Sequence, residues 1–388
     1  MTRACAGEEI NAASAARPRP QIPALTGLRG IAALLVSVYH LDPPDRGSAS
    51  PVVHFVGKGY LWVDLFFVLS GFVVALNYAH LFETGCWSPR AWGDFLMRRL
   101  ARVYPLYLAV TAAGLALALT PLHLPAVPRA SGGEMTAANL LMVQSWGISQ
   151  SINGAAWSLS AEWGAYLLFP VLVTLALFAR PALAWGALLA ALAATAATVI
   201  LTHHDGAYHS GPLDAYDGTT AEPVLRCLGG FTLGLVLCRA ARSPRLLACI
   251  SHDATIAAAV VLLVLGFAES RHDLLIYPLF AVLVLGLYGN RGIVGRCFGS
   301  RPVYRLGVLS YSIYLLHPYL VAPRADLDAW LRTRLSPPGA DVGANVAVYG
   351  ALLLVATLAY RAIEEPGRRW TQQLGRRLLG AVAGPASA

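Results

Sequence analysis

Charge is scarce in this chain. Asp, Glu, Lys and Arg make up 13% of its 388 residues, where soluble domains carry about 25%. That deficit excludes an ordinary water-soluble globule. Lysine is nearly missing: Lys58 is the only one, and arginine supplies the rest of the 29 cations. The net charge of +8 does not indicate nucleic-acid binding, because the arginines sit mainly in the connections between apolar stretches. Six cysteines (Cys5, Cys86, Cys227, Cys238, Cys249 and Cys297) show no Cys-x-x-Cys spacing and no matching histidine pairs. They imply neither a disulfide framework nor a zinc site, and no metal is expected. Internal repeats, long linkers and a cleavable leader are also lacking. Residues 1–21 carry Arg3, Arg17 and Arg19 without an apolar core, which reads as a polar tail.

What remains is apolar. Hydrophobic residues form 56% of the chain and the mean hydropathy is +0.56. Stretches of about 17–25 apolar residues read as membrane spans. Ten occur, at 23–41, 60–80, 103–121, 158–179, 182–202, 223–239, 254–269, 273–289, 303–321 and 343–362. A further stretch at 136–146 is too short to cross and suits a re-entrant or interfacial piece. The expected fold is an all-α polytopic bundle of about ten transmembrane helices in the cell membrane, in this case a bacterial inner membrane. Both termini are placed in the cytoplasm. With that orientation only Arg46, Lys58, Arg129, Arg226, Arg271, Arg324, Arg332 and Arg334 of the 29 cations fall outside, as the positive-inside rule requires. The division is then a tail over 1–21, a membrane domain over 22–370 and a C-terminal tail over 371–388.

Polar residues inside such spans are costly and mark function by default. Arg29 and His40 lie eleven residues apart in LTGLRGIAALLVSVYH. That is almost three whole turns, so they share a face at roughly 16 Å separation. At the outer ends of other spans stand Asp64, Glu162, Arg226 and, one turn or two in, His317. Five polar groups from five helices therefore fall at similar depth with His40 among them. On the cytoplasmic side MRRLARVYP holds Arg98, Arg99 and Arg102. Arg98 and Arg102 are four apart and share a face, and guanidinium forks suit phosphate. The plainer reading of this cluster is membrane anchoring. Taken with Arg29, it makes a track from a basic inner surface to an outer histidine. A long donor with a phosphorylated head and a thin reactive arm fits that track, and acyl-coenzyme A is such a molecule.

Six segments in order make the chain resemble the acyltransferase-3 family of integral membrane O-acyltransferases. They are LTGLRGIAALLVSVYH, WVDLFFVLSGFVV (62–74), RRLARVYPLY (98–107), NGAAWSLSAEWGAYLLFP (153–170), LSYSIYLLHP (309–318) and IEEPGRRW (363–370). The family's arginine–histidine pattern falls on Arg29 and His40. Its arginine motif falls on Arg98, Arg99 and Arg102. Its tryptophan-serine-leucine-x-x-glutamate motif falls on Trp157, Ser158 and Glu162. Trp163 departs from the acidic or polar residue that many members have there. The resemblance implies transfer of an acyl group from acyl-coenzyme A, a substrate and not a cofactor, to a hydroxyl of a carbohydrate or macrolide-type acceptor. The absence of an appended hydrolase-like domain is similar to the macrolide-acylating members. Acylation of envelope polysaccharide or glycolipid is the alternative, and a homo-oligomer is compatible with either.

The chemistry needs a base, and a neutral histidine serves near neutral pH. His40 is the candidate. A carboxylate that orients it would help, and Asp64 and Glu162 both suit that role. Ser158, Tyr311, Arg226 or backbone amides near Gly71 are candidate donors to the oxyanion. Ser310, Tyr314 and His317 share a helix face, which gives His317 a place in acceptor binding or in support of His40. Trp157 has the shape to stack on a sugar ring. His203, His204 and His209 lack the accompanying carboxylate or cysteine spacing of a metal site, and the Glu364–Glu365–Pro366 run reads as a helix terminator that can pair with nearby arginines, with no chemistry assigned to it. A proton-coupled transporter is the rival from another class, since it too needs intramembrane His, Asp, Glu and Arg; the missing internal repeats speak against it.

Overall fold

Long runs of Leu, Ala and Val leave the backbone to satisfy its own polar groups. In a bilayer only a helix does this within one segment. A computed structural model describes residues 22–42, 50–83, 88–118, 132–201, 211–216, 220–269 and 273–381, and no strand occurs among them. The principal helices are α1 (Pro23–Leu41), α2 (Trp62–Tyr78), α3 (Pro89–Ala118), α4 (Trp157–Val173), α5 (Pro181–Leu201), α6 (Glu222–Ala240), α7 (Asp253–Ala268), α8 (Ile276–Gly289), α9 (Arg301–Leu316), α10 (Pro337–Ala359) and α11 (Glu365–Ala381). The chain is an all-α polytopic membrane protein.

Each of the ten expected spans falls on one of α1 to α10. Among the described residues, however, only seven helices are long and apolar enough to cross a membrane alone. The number rises to eight if the pair Pro244–Ile250 and Asp253–Ala268, bent by 61°, is one broken span. By that measure seven or eight of the ten expected spans qualify among the described residues. Helix α8 has 14 residues and α9 has 16, too few to pass unaided. The 136–146 stretch is the short helix Gly133–Leu140 followed by irregular chain. Asn139 holds that chain, its Oδ1 accepting from the Ile152 amide and its Nδ2 donating to the Gln150 carbonyl, both at 3.0 Å.

Two close helix contacts set the frame. Helices α1 and α9 run parallel and touch through Gly30 and Gly307; a Cβ on Gly307 would overlap the Thr26 carbonyl, and one on Gly30 the Gly307 backbone. Helices α2 and α6 meet in the same way through Gly71, Gly230 and Gly234. Small residues let membrane helices approach this closely. Helix α10 continues through a π turn, Tyr360–Glu364, into α11. Helix α11 lies antiparallel to α3, with Gly367 against Pro105 and Gly375 against Met97. Residues 371–381, expected to open a tail, are helical to Ala381.

Candidate active site

Helices α1, α2, α3, α4 and α9 enclose a cavity of ≈ 370 Å³, within the range of small-molecule sites. Along α1 it touches Ile22 to Arg29, and along α2 it runs from Asn77 to Val63. Its polar lining gathers Arg29, Arg99, Arg102, Ser158, Glu162, Ser310, Tyr311 and Tyr314. Six of the residues expected from sequence (Arg29, Arg99, Arg102, Ser158, Glu162 and Tyr311) thus share one cavity. The others, His40, Asp64, Arg98, Trp157, Arg226 and His317, do not line it.

The glycine contact between α1 and α9 presses Arg29 onto α9. Its Nε donates to Ser310 Oγ at 2.9 Å and its Nη2 to the Gly307 carbonyl at 3.0 Å. Arg99 donates to the Tyr166 hydroxyl, and its guanidinium lies 4.5 Å from that ring. The Nε of Arg99 is buried and has no hydrogen-bond partner among the described residues. Arg102 pairs with Glu364, whose Oε2 accepts from Ser312 Oγ at 2.8 Å. Arg98 points away to Asp94, at 2.7 Å and half-exposed. The arginines that share the cavity are therefore Arg99 and Arg102, three apart, and not Arg98 and Arg102, since α3 turns Arg98 to its outer side. Sequence reasoning gave Glu364 a pairing with nearby arginines, which Arg102 fulfils, but no place beside the cavity. The π turn carries it into the interior, where it is 2% exposed, and the glutamate-glutamate-proline run does not end the helix.

His40 and His317 come together at the far end of the bundle. Their ring centroids are 4.9 Å apart, and His317 Nε2 faces His40 Nδ1 at 3.3 Å. His317 is fully buried and His40 is exposed. His40 Nδ1 also lies 3.0 Å from the Val36 carbonyl. A carbonyl only accepts, so Nδ1 is assigned the proton, which leaves Nε2 with the lone pair in the neutral ring. The orienting carboxylate expected from sequence is thus replaced by a backbone carbonyl one turn back. Asp64 does not reach His40, and Glu162 faces the cavity.

Asp64 is committed elsewhere. Both its oxygens accept from Arg226, at 3.0 Å and 2.7 Å, and Oδ1 also accepts from the Tyr277 hydroxyl at 2.5 Å. Arg226 donates further to the Tyr60 carbonyl at 2.9 Å and the Ala215 carbonyl at 3.2 Å. Asp64 and Arg226 are both 0% exposed, so Arg226 is a packed ion-pair partner and not an oxyanion donor. Its guanidinium also covers the Trp157 ring at 5.2 Å, which removes that face from sugar stacking. Tyr311 donates its hydroxyl to the Val103 carbonyl at 2.5 Å. The Gly71 amide lies inside α2 and is spent on helix bonding. Next to this network Lys58 pairs with Asp273 at 2.6 Å, and Asp273 Oδ2 accepts from the Leu213 amide at 3.0 Å, pinning the 211–216 segment. His203, His204 and His209 lie outside the described residues.

The chain matches the acyltransferase domain family, Acyl_transf_3, over residues 22–361. It is 28% identical over 323 residues to Acyltransferase MdmB of Streptomyces mycarofaciens, covering 76% of this chain and 78% of that protein. To the Putative peptidoglycan O-acetyltransferase YrhL of Bacillus subtilis it is 24% identical over 375 residues, 89% of this chain and 55% of that protein. To O-acetyltransferase OatA of Staphylococcus aureus it is 24% identical over 378 residues, 90% of this chain and 57% of that protein. The chain spans little more than half the length of these last two. No solved structure matches it.

Proposed function

The chain belongs to the acyltransferase-3 family of integral membrane O-acyltransferases, and on that premise we propose that it carries an acyl group from acyl-coenzyme A to a hydroxyl of a carbohydrate or macrolide-type acceptor, with His40 as general base. One observation carries the reading: a cavity lined by Arg29, Arg99 and Arg102 leads toward a histidine pair. Three guanidiniums against Glu162 and the Arg102-bound Glu364 leave the cavity net positive. The unpartnered Nε of Arg99 is a charge-assisted donor suited to a phosphate oxygen. In this reading the arginine end faces the cytoplasm of a bacterial cell and the histidine end faces outward.

The step balances without a cofactor. The acceptor oxygen bonds to the acyl carbon as its proton passes to His40 Nε2. The carbon–sulfur bond then breaks, and the departing thiolate takes that proton back. His317, against His40, supports the ring's position. The test is thiol release from acetyl-coenzyme A by purified protein in detergent, with and without a hydroxylated sugar acceptor. His40→Ala is expected to lower turnover by about 10²–10⁴-fold, the contribution of a positioned base, while gel filtration stays unchanged. A folded variant with near wild-type turnover refutes the assignment.

A further inference from the structure

Tyr314 lines the cavity on one side and packs against His317 on the other. Along α2 the cavity extends from Asn77 to Val63, about 20 Å at the rise of a helix. Its far end is formed by Val63, Phe66, Ser158 and Tyr314. Neither His40 nor His317 reaches that lining. Tyr314 stands on α9 just before His317, and the two ring centroids are 5.8 Å apart. Phe66 meets Tyr314 edge-on at 5.8 Å. The Tyr314 hydroxyl lies 2.8 Å from Ser158 Oγ. Ser158 donates to the Ala155 carbonyl at 3.3 Å, which leaves its oxygen to accept from Tyr314. The ring is thus held across the end of the cavity by a single neutral hydrogen bond between α4 and α9. Such a bond exchanges readily for another acceptor, and a thioester carbonyl arriving through the cavity is one.

Resting on the reading that the cavity takes the donor's arm, we propose that Tyr314, latched to Ser158, is the wall that the acyl end must displace to reach the His40–His317 pair, and that it sets the size of acyl group transferred. The space beyond Val63 and Phe66 opens only as far as the Tyr314 ring swings. A short acyl end passes with a small rotation, and a longer one meets the ring. Replacing the ring by a smaller side chain extends the cavity toward the histidines, and a larger ring shortens it. Removing only the hydroxyl loosens the latch and leaves the wall.

The experiment compares kcat/KM for acetyl-, butanoyl- and hexanoyl-coenzyme A in wild type, Tyr314→Leu, Tyr314→Phe and Tyr314→Trp. Tyr314→Leu is expected to raise the hexanoyl-to-acetyl ratio by roughly tenfold or more, the effect of methylene-sized changes in a pocket. Tyr314→Trp is expected to lower that ratio, and Tyr314→Phe to leave it near wild type. A packing defect alone would depress all three donors together and leave the ratio fixed. Unchanged ratios in Tyr314→Leu and Tyr314→Trp, with wild type active, overturn the role of Tyr314 and spare the donor reading. A wild type that uses none of the three donors overturns both.

Discussion

Asp64 and Arg226 are costly residues to bury, because both are ionisable types whose side chains have no exposure. The cost is met only while each has the other. Breaking a buried pair by removing one partner is worth about 3–5 kcal/mol, because a charge is left uncompensated. Asp64→Asn is expected to destabilise the protein by about that amount, read as a lower midpoint of thermal unfolding in detergent. Replacing both residues by Leu and Met is expected to recover most of the loss. An Asp64→Asn midpoint equal to wild type would return Asp64 to the catalytic candidates. The sequence named both residues and their depth, but it offered Asp64 to His40. Which of several charges at one depth become partners depends on helix azimuth, and azimuth is a property of packing.

Helix contacts decide how the arginines reach the cavity. Arg29 meets Ser310 and the Gly307 carbonyl only because α1 and α9 touch at Gly30 and Gly307. Gly307→Val is expected to force the two helices apart, at about 1–3 kcal/mol for an overpacked contact, and to raise KM for the donor more than it lowers kcat. The measurement is steady-state kinetics alongside a melting curve. A variant that loses stability with an unchanged donor KM would detach Arg29 from donor binding. Helix continuity matters in the same way for Glu364. A regular helix through Tyr360–Glu364 would carry Glu364 at a different angle, and the π turn adds the offset that brings it to Arg102 and Ser312. π turns occur often at functional sites, yet nothing in the residue pattern IEEPGRRW specifies one.

At the scale of the whole molecule, the basic cluster and the histidine pair occupy opposite ends. Arg99 and Arg102 stand at one end of the cavity with Arg29 and Asn77, while Ser158 and Tyr314 close the other, next to the histidines. Donor and acceptor would then approach from opposite faces of the membrane. In sealed, oriented vesicles, acyl-coenzyme A supplied only to the side bearing the arginine cluster is expected to support turnover. Donor supplied only to the other side is expected to support less than about one tenth of it. Turnover confined to the histidine side would refute the passage while leaving the base intact.

Composition and apolar period by themselves determined the all-α membrane bundle and the place of most of its helices, because a bilayer leaves each apolar segment no other way to bond its backbone. Residue spacing also determined that Arg29 and His40 face one neighbour, since both lie on one helix with a fixed rise. Everything between helices was decided by tertiary structure. The Val36 carbonyl and His317, not Asp64 or Glu162, contact His40; Glu364 holds Arg102; Arg98 faces away while Arg99 faces in. The physical reason is common to all three. Rotation of one helix against another is set by contacts such as Gly30 on Gly307 and Gly71 on Phe231. Those contacts join residues far apart in the chain, and no local pattern encodes the angle at which they meet.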